Sequence, residues 1–165
     1  MRRPFPSYPP CPVCGDPAVN AGTLAVRWWW EEECHQVVGS FTPRETHAGY
    51  GDCLHGGVLL SLFDEALAWA SAAATGSFCY TGELATRFRR PIPLGAPIEI
   101  TAWVVTARGP YVRAAGQARD GRGNVLATSS GTYAAMETAV ARRLQSALRL
   151  GPGDVDVLAG PLHRS

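Results

Sequence analysis

The sequence predicts an α+β domain in which an antiparallel β-sheet wraps around one long central helix. Two observations carry that prediction. A single apolar segment, His55 to Gly76, is long enough for about five helical turns. Two strand-like segments precede it and four follow, and strands segregated around one helix belong to α+β architecture.

The elements follow in chain order. Four of the first ten residues are proline, which predicts an irregular arm. Cys11-Pro12-Val13-Cys14-Gly15 comes next, and Asp16 to Gly22 has the Pro, Asn and Gly of a turn. Thr23 to Glu33 alternates as a strand, with Leu24, Val26, Trp28 and Trp30 on one face. His35 to Thr42 is a second strand, and Pro43 to Leu54 a loop. The helix has apolar residues on every face, which predicts burial all round, and Gly76 suits a left-handed residue past its end. Further strands are expected over 78–90, 97–108, 111–119 and 125–136, with a hairpin at Asp120-Gly121-Arg122-Gly123-Asn124. Val140, Leu144 and Leu148 mark a short amphipathic helix over 137–150, and the last dozen residues are expected to be loosely ordered. These divisions suggest an arm (1–22), a main domain (23–136) and a helix with a tail (137–165).

Composition narrows the function. A chain of 165 residues, 46% hydrophobic and 18% charged, suits one globular domain. A net charge of +1 gives no support to a nucleic-acid or anionic-membrane partner. All fifteen basic residues are arginine, which removes a Schiff-base or phosphate-loop lysine. No apolar run of about eighteen residues is free of charge, and the N-terminus has no apolar signal core. With an odd cysteine count of five, this favours a cytoplasmic protein over a disulfide-built secreted one.

The central helix carries the chemistry. Asp64 and Glu65 lie in its middle, where a charge must be paired, solvated or working. Gly56 and Gly57 open it and leave its first N–H groups bare, ready for a carbonyl or anionic oxygen. The plainer readings are a structural buried acid at Asp64, glycines kept for close packing, and a capping or core histidine at His55. Glu65 points about 100° away from Asp64 around the helix, which suits a structural role. Gly56 and Asp64 are eight residues apart, about 12 Å along one helix. A single helix therefore does not easily bring both to one carbonyl, and two antiparallel copies would, so a site shared across a homodimer is expected. Arg89 or Arg90 is a candidate for binding phosphates. Cys11 and Cys14 are half a zinc site, complete only if other ligands or a second subunit join them. The Trp28-Trp29-Trp30 run suits packing.

The pattern His47-Ala48-Gly49, five residues, His55-Gly56-Gly57, then Leu62 and Asp64, resembles the hotdog-fold thioesterases of the phenylacetate-pathway (PaaI-like) type. Arg87-Phe88-Arg89-Arg90-Pro91-Ile92-Pro93-Leu94-Gly95 is similar to that family's strand ending, and Gly121 to Ala127 to its last hairpin. The Cys11–Gly15 stretch is similar to a lead-in found in one bacterial branch. The resemblance spans roughly residues 11 to 136. It implies the hotdog fold and acyl-CoA thioester hydrolysis. Asp64 would be general base or nucleophile. The Gly56 N–H, with that of Gly57, would polarise the carbonyl. His55 would line the site, and Thr81 would sit beside Asp64. Many relatives carry Asn or Gln near the loop position held here by His47 or Gly49, a departure that leaves the substrate contact to His47 if it takes that polar role and missing if it points away. The resemblance also implies a homodimer or dimer of dimers and needs no metal or redox cofactor, coenzyme A being part of the substrate. Two other classes stay open: a non-catalytic acyl-CoA-binding module, and an enoyl-thioester hydratase or dehydratase.

Overall fold

The computed structural model describes residues 1–162. Its seven strands are β1 (Arg2–Pro4), β2 (Trp28–Glu31), β3 (Gln36–Phe41), β4 (Cys79–Phe88), β5 (Ile98–Arg108), β6 (Tyr111–Asp120) and β7 (Val125–Ala135). They form one sheet in the order β1-β2-β3-β5-β6-β7-β4, and every neighbouring pair is antiparallel. Helix α1 (Gly56–Thr75) lies between β3 and β4 in the chain and packs across β3, β5, β6, β7 and β4. The expected sheet wrapped around a helix is therefore present.

The helix starts and stops for local reasons. The His55 Nδ1 accepts the Gly57 N–H at 2.9 Å, which caps the first turn. Gly76 ends the helix at φ 68°, its N–H bonded to Ala72 O, the left-handed stop that glycine adopts without cost. By length and apolarity alone α1 could cross a membrane, but half of its residues are buried inside the fold. Leu59, Leu62, Phe63, Ala66, Leu67 and Ala73 are its deepest residues. Burial is not complete all round: Gly57 and Ser61 are exposed, and Leu60, Asp64, Glu65 and Ala68 are half-buried. The helix comes so close to the sheet that a Cβ added to Gly116 would meet Leu67 Cδ1 at 2.9 Å and Thr101 O at 2.8 Å.

The ends of the chain differ most from expectation. The first ten residues are not an irregular arm: β1 pairs with β2, and Phe5 is 1% exposed and stacks on Trp69 at 4.7 Å between ring centres. The short β1 is an edge strand, where Pro4 costs no inner ladder bond. The first long strand is cut to Trp28–Glu31 because Ala25 takes φ 54°. The N–H groups of Leu24 and Val26 instead bond to Pro12 and Val13 of the arm. Helix α2 (Thr138–Ser146) is shorter than expected, since the chain leaves it to make the Arg149-to-Ser7 backbone bond. The tail is ordered as far as it is described: Val155 and Val157 are buried, and Leu162 N–H bonds to Ala73 O. The expectation for residues 163–165 lies outside the described residues.

The close contact at Gly116 gives a direct test. Gly116→Ala is expected to cost about 1–3 kcal/mol through overpacking, measured by urea unfolding. Gly121→Ala, in open space, should stay near wild type.

Candidate active site

Asp64 sits in the third turn of α1, facing the far edge of the sheet. On β4, Thr81 donates its hydroxyl to Asp64 Oδ1 at 2.8 Å. On β7, the Tyr133 hydroxyl donates to the same oxygen at 3.3 Å and reaches Asp64 O at 3.4 Å. Strand register brings these two together, because Thr81 pairs with Tyr133. The ladder slips between Thr81 and Glu83, a bulge of the kind that re-aims a side chain beside a site. Burial first, and then the Asp64 carboxylate, push the Tyr133 phenol far above its ordinary range, so it stays a donor. Among the described residues nothing donates to Asp64 Oδ2. One carboxylate oxygen is thus held and the other is free for a water or an electrophile. A cleft of about 420 Å³ lined by Thr81, Thr132 and Tyr133 opens next to this pair.

The helix start forms a separate place. The Gly57 N–H, expected to help polarise a carbonyl, is taken by His55 Nδ1, because a capping side chain satisfies that orphan donor. The Gly56 N–H meets no acceptor among the described residues and remains the one available there. The Phe88 ring lies over Gly56, where an added Cβ would come within 3.2 Å of it. Gly56, Phe88, Arg89 and Arg90 line a cleft of about 320 Å³, so both predicted arginines lie beside the helix start. His55 is exposed at the mouth of the helix. His47 is placed differently from expectation: it is buried against Phe41, its Nδ1 accepts Arg44 N–H at 3.0 Å, and its carbonyl accepts His55 N–H at 2.9 Å. It holds the loop that delivers the helix start, which is a positioning role.

Glu65 turns to the opposite side, as its offset from Asp64 requires. It receives Cys11 Sγ–H at 3.2 Å. Burial first, and then the charge of Cys11, push its carboxyl up to about 8. Sequence reasoning missed Tyr133 and Phe88. The signal for Tyr133 was its inward position on β7 two residues from Gly131, usable only once the β4–β7 pairing is known.

Fold and site together define a hotdog-fold protein, with a long antiparallel sheet, one central helix and an acid on that helix. The sequence model of the thioesterase superfamily matches residues 51–127. No curated protein matches the sequence. Among solved structures, a thioesterase superfamily protein is 29% identical with a TM-score of 0.65, the match covering 74% of this chain and 62% of that one. The Staphylococcus aureus acyl-CoA hydrolase, solved with butyryl coenzyme A, coenzyme A and coenzyme A disulfide, is 20% identical with a TM-score of 0.60, covering 64% and 65%. The E. coli PaaI protein from the phenylacetic acid degradation operon is 20% identical with a TM-score of 0.64, covering 74% and 86%. The chain thus spans slightly under two thirds of the first two relatives. It has the hotdog fold and is similar over residues 51–127 to the thioesterase superfamily, and its likeness to PaaI is a distant structural one.

The loop before the helix should respond to pH. Burial, and then the Arg44 charge, hold the His47 imidazole below its ordinary value. Its neutral form is therefore favoured in the fold, and its contribution is intact above the unfolded value of about 6.5. That contribution falls as pH drops from there through the lower folded value. The urea midpoint should fall more for wild type than for His47→Gln between about pH 7.5 and 5.5. Equal falls would remove His47 from this role.

Proposed function

We propose that this protein is an acyl-CoA thioesterase that hydrolyses an acyl- or aryl-CoA to the free acid and coenzyme A. The observation that carries the reading is the Asp64 carboxylate, with one oxygen held by Thr81 and Tyr133 and the other unengaged among the described residues. A water on Oδ2 would lose a proton to Asp64 while its oxygen attacks the thioester carbon, and the thiolate of coenzyme A would leave. The Gly56 N–H supplies the oxyanion donor, a contribution of about 3–4 kcal/mol for one good donor, and the helix dipole adds to it. General-base assistance adds roughly 10²–10⁴-fold. No resident cofactor is required for this chemistry. The coenzyme A complex of the S. aureus relative supports the substrate class, and the Arg89–Arg90 cleft suits its phosphates. A coenzyme A substrate fits a cytoplasmic setting.

The two halves of the site come from two copies in this reading. Gly56 and Asp64 of one helix are about 12 Å apart. Strand β4 ends the sheet with ten residues and, among the described residues, no strand on its outer side, and Tyr80 and Phe88 stand exposed on it. A long open edge of this kind invites strand pairing. Pairing β4 with its copy would set Gly56 of one protomer against Asp64 of its partner, as a dimer or as half of a dimer of dimers.

Thiol release from a panel of aromatic and aliphatic acyl-CoAs tests this. Asp64→Ala, still folded and with the oligomeric state of wild type, is expected to lose at least about 10²-fold in kcat. Thr81→Val should lose less, with kcat falling more than KM changes. If Asp64→Ala matches wild type, the mechanism is wrong. If wild type binds acyl-CoA without hydrolysing any, it is a binding module instead.

A further inference from the structure

On the opposite side of α1 from Asp64, three side chains from two distant parts of the sequence converge. Cys11, Cys14 and Glu65 bring one ligand atom each to within 4.8 Å of one another, with Cys11 Sγ and Glu65 Oε2 at 3.2 Å. Zinc bonds of about 2.3 Å to sulfur and 2.0–2.2 Å to oxygen put neighbouring ligands roughly 3.4–3.8 Å apart, so only small side-chain shifts are needed to enclose an ion. The loop is shaped to present sulfur: the Val13 and Cys14 N–H groups both aim at Cys11 Sγ, at 3.3 and 3.5 Å, an arrangement that favours a thiolate. Gly15 lets the loop close on itself, since a Cβ there would run into Cys11 O.

The site also lacks what it needs when empty. Among the described residues neither the buried Glu65 Oε1 nor the Trp69 indole N–H, one turn along the helix and near enough to act on the Glu65 carboxyl, makes a hydrogen bond of good geometry. Among the described residues no Arg or His lines the adjoining cavity of about 190 Å³, which is otherwise walled by groups such as Ala68, Trp69, Ala72 and Phe78. Three groups able to carry negative charge therefore share an apolar recess with no cation among the described residues, a costly arrangement. Nothing in the Asp64 chemistry uses them.

We propose that Cys11, Cys14 and Glu65 bind one divalent zinc-class cation that clamps the N-terminal arm to the helix carrying Asp64. Two thiolates and one carboxylate suit Zn²⁺ over the oxygen-seeking Mg²⁺ or Ca²⁺. Binding releases the thiol protons, and a water facing the cavity completes four ligands. The role is structural: the clamp secures the segment that supplies β1 and the Phe5–Trp69 stack.

The experiment is metal analysis of the full chain, followed by titration of the chelator-treated protein with Co²⁺. About one metal per chain is expected, with a sulfur-to-cobalt charge-transfer band and strong tetrahedral visible bands. Chelation should lower Tm, and Zn²⁺ should restore it. Cys14→Ser should abolish the cobalt spectrum, Glu65→Gln should weaken binding at least about tenfold, and Cys34→Ser, at an exposed cysteine away from the cluster, should change neither. The wild-type titration does not depend on any variant folding, and no readout depends on thioesterase activity. A metal content near zero with no thiolate-to-cobalt band, or a Cys11–Cys14 disulfide in protein kept reduced, overturns the proposal.

Discussion

A carboxylate carried on a core helix is the constraint the rest of this molecule answers. Helix α1 is apolar enough to be buried and packs across β3, β4, β5, β6 and β7 of the sheet. The helix therefore cannot place Asp64 in bulk water, nor seal it away without cost. The solution is positional. Asp64 lies toward the sheet edge, where β4 and β7 supply Thr81 and Tyr133 as donors and where one oxygen remains open. Glu65, one residue on, meets the same constraint from the other side with the thiol of Cys11.

The same helix fixes the distance between Asp64 and the Gly56 N–H, the proposed base and oxyanion donor. Its first turn offers one free N–H, because His55 has taken the next, and its third turn offers the acid. A rigid rod holds both in good geometry but apart. In the proposed reading the separation turns a limitation into a reason for symmetry: two copies around one axis supply what one helix cannot. The open β4 edge, with its exposed Tyr80 and Phe88, is where such pairing would begin.

Much of this was legible in the residues. Turn residues at their ends located the strands from β4 to β7 within a residue or two, helped in β5, β6 and β7 by a buried face that β4 does not have. Gly76 marked the helix end because only a left-handed residue closes it there. Asp64 and Gly56 stood out in the helix and Thr81 came from the family resemblance; the structure bonds Thr81 to Asp64 and engages His47 and the Gly57 N–H with neighbours in their own loop. The chain ends were misread for one reason. Proline-rich and polar stretches lack periodicity, so nothing local shows that Phe5, Val155 and Val157 find space in a core built by residues far along the chain.

What the sequence by itself determined is the central helix and the strands from β4 to β7, because hydrophobic periodicity and turn residues act over a few positions and need no distant partner. What only the tertiary structure decided is which groups meet. Tyr133 reaches Asp64 through the β4–β7 register, and Cys11 reaches Glu65 across fifty-four positions of sequence. Spacing along the chain carries no information about such contacts. They exist only once the sheet has closed around the helix and brought both ends of the chain onto its surface.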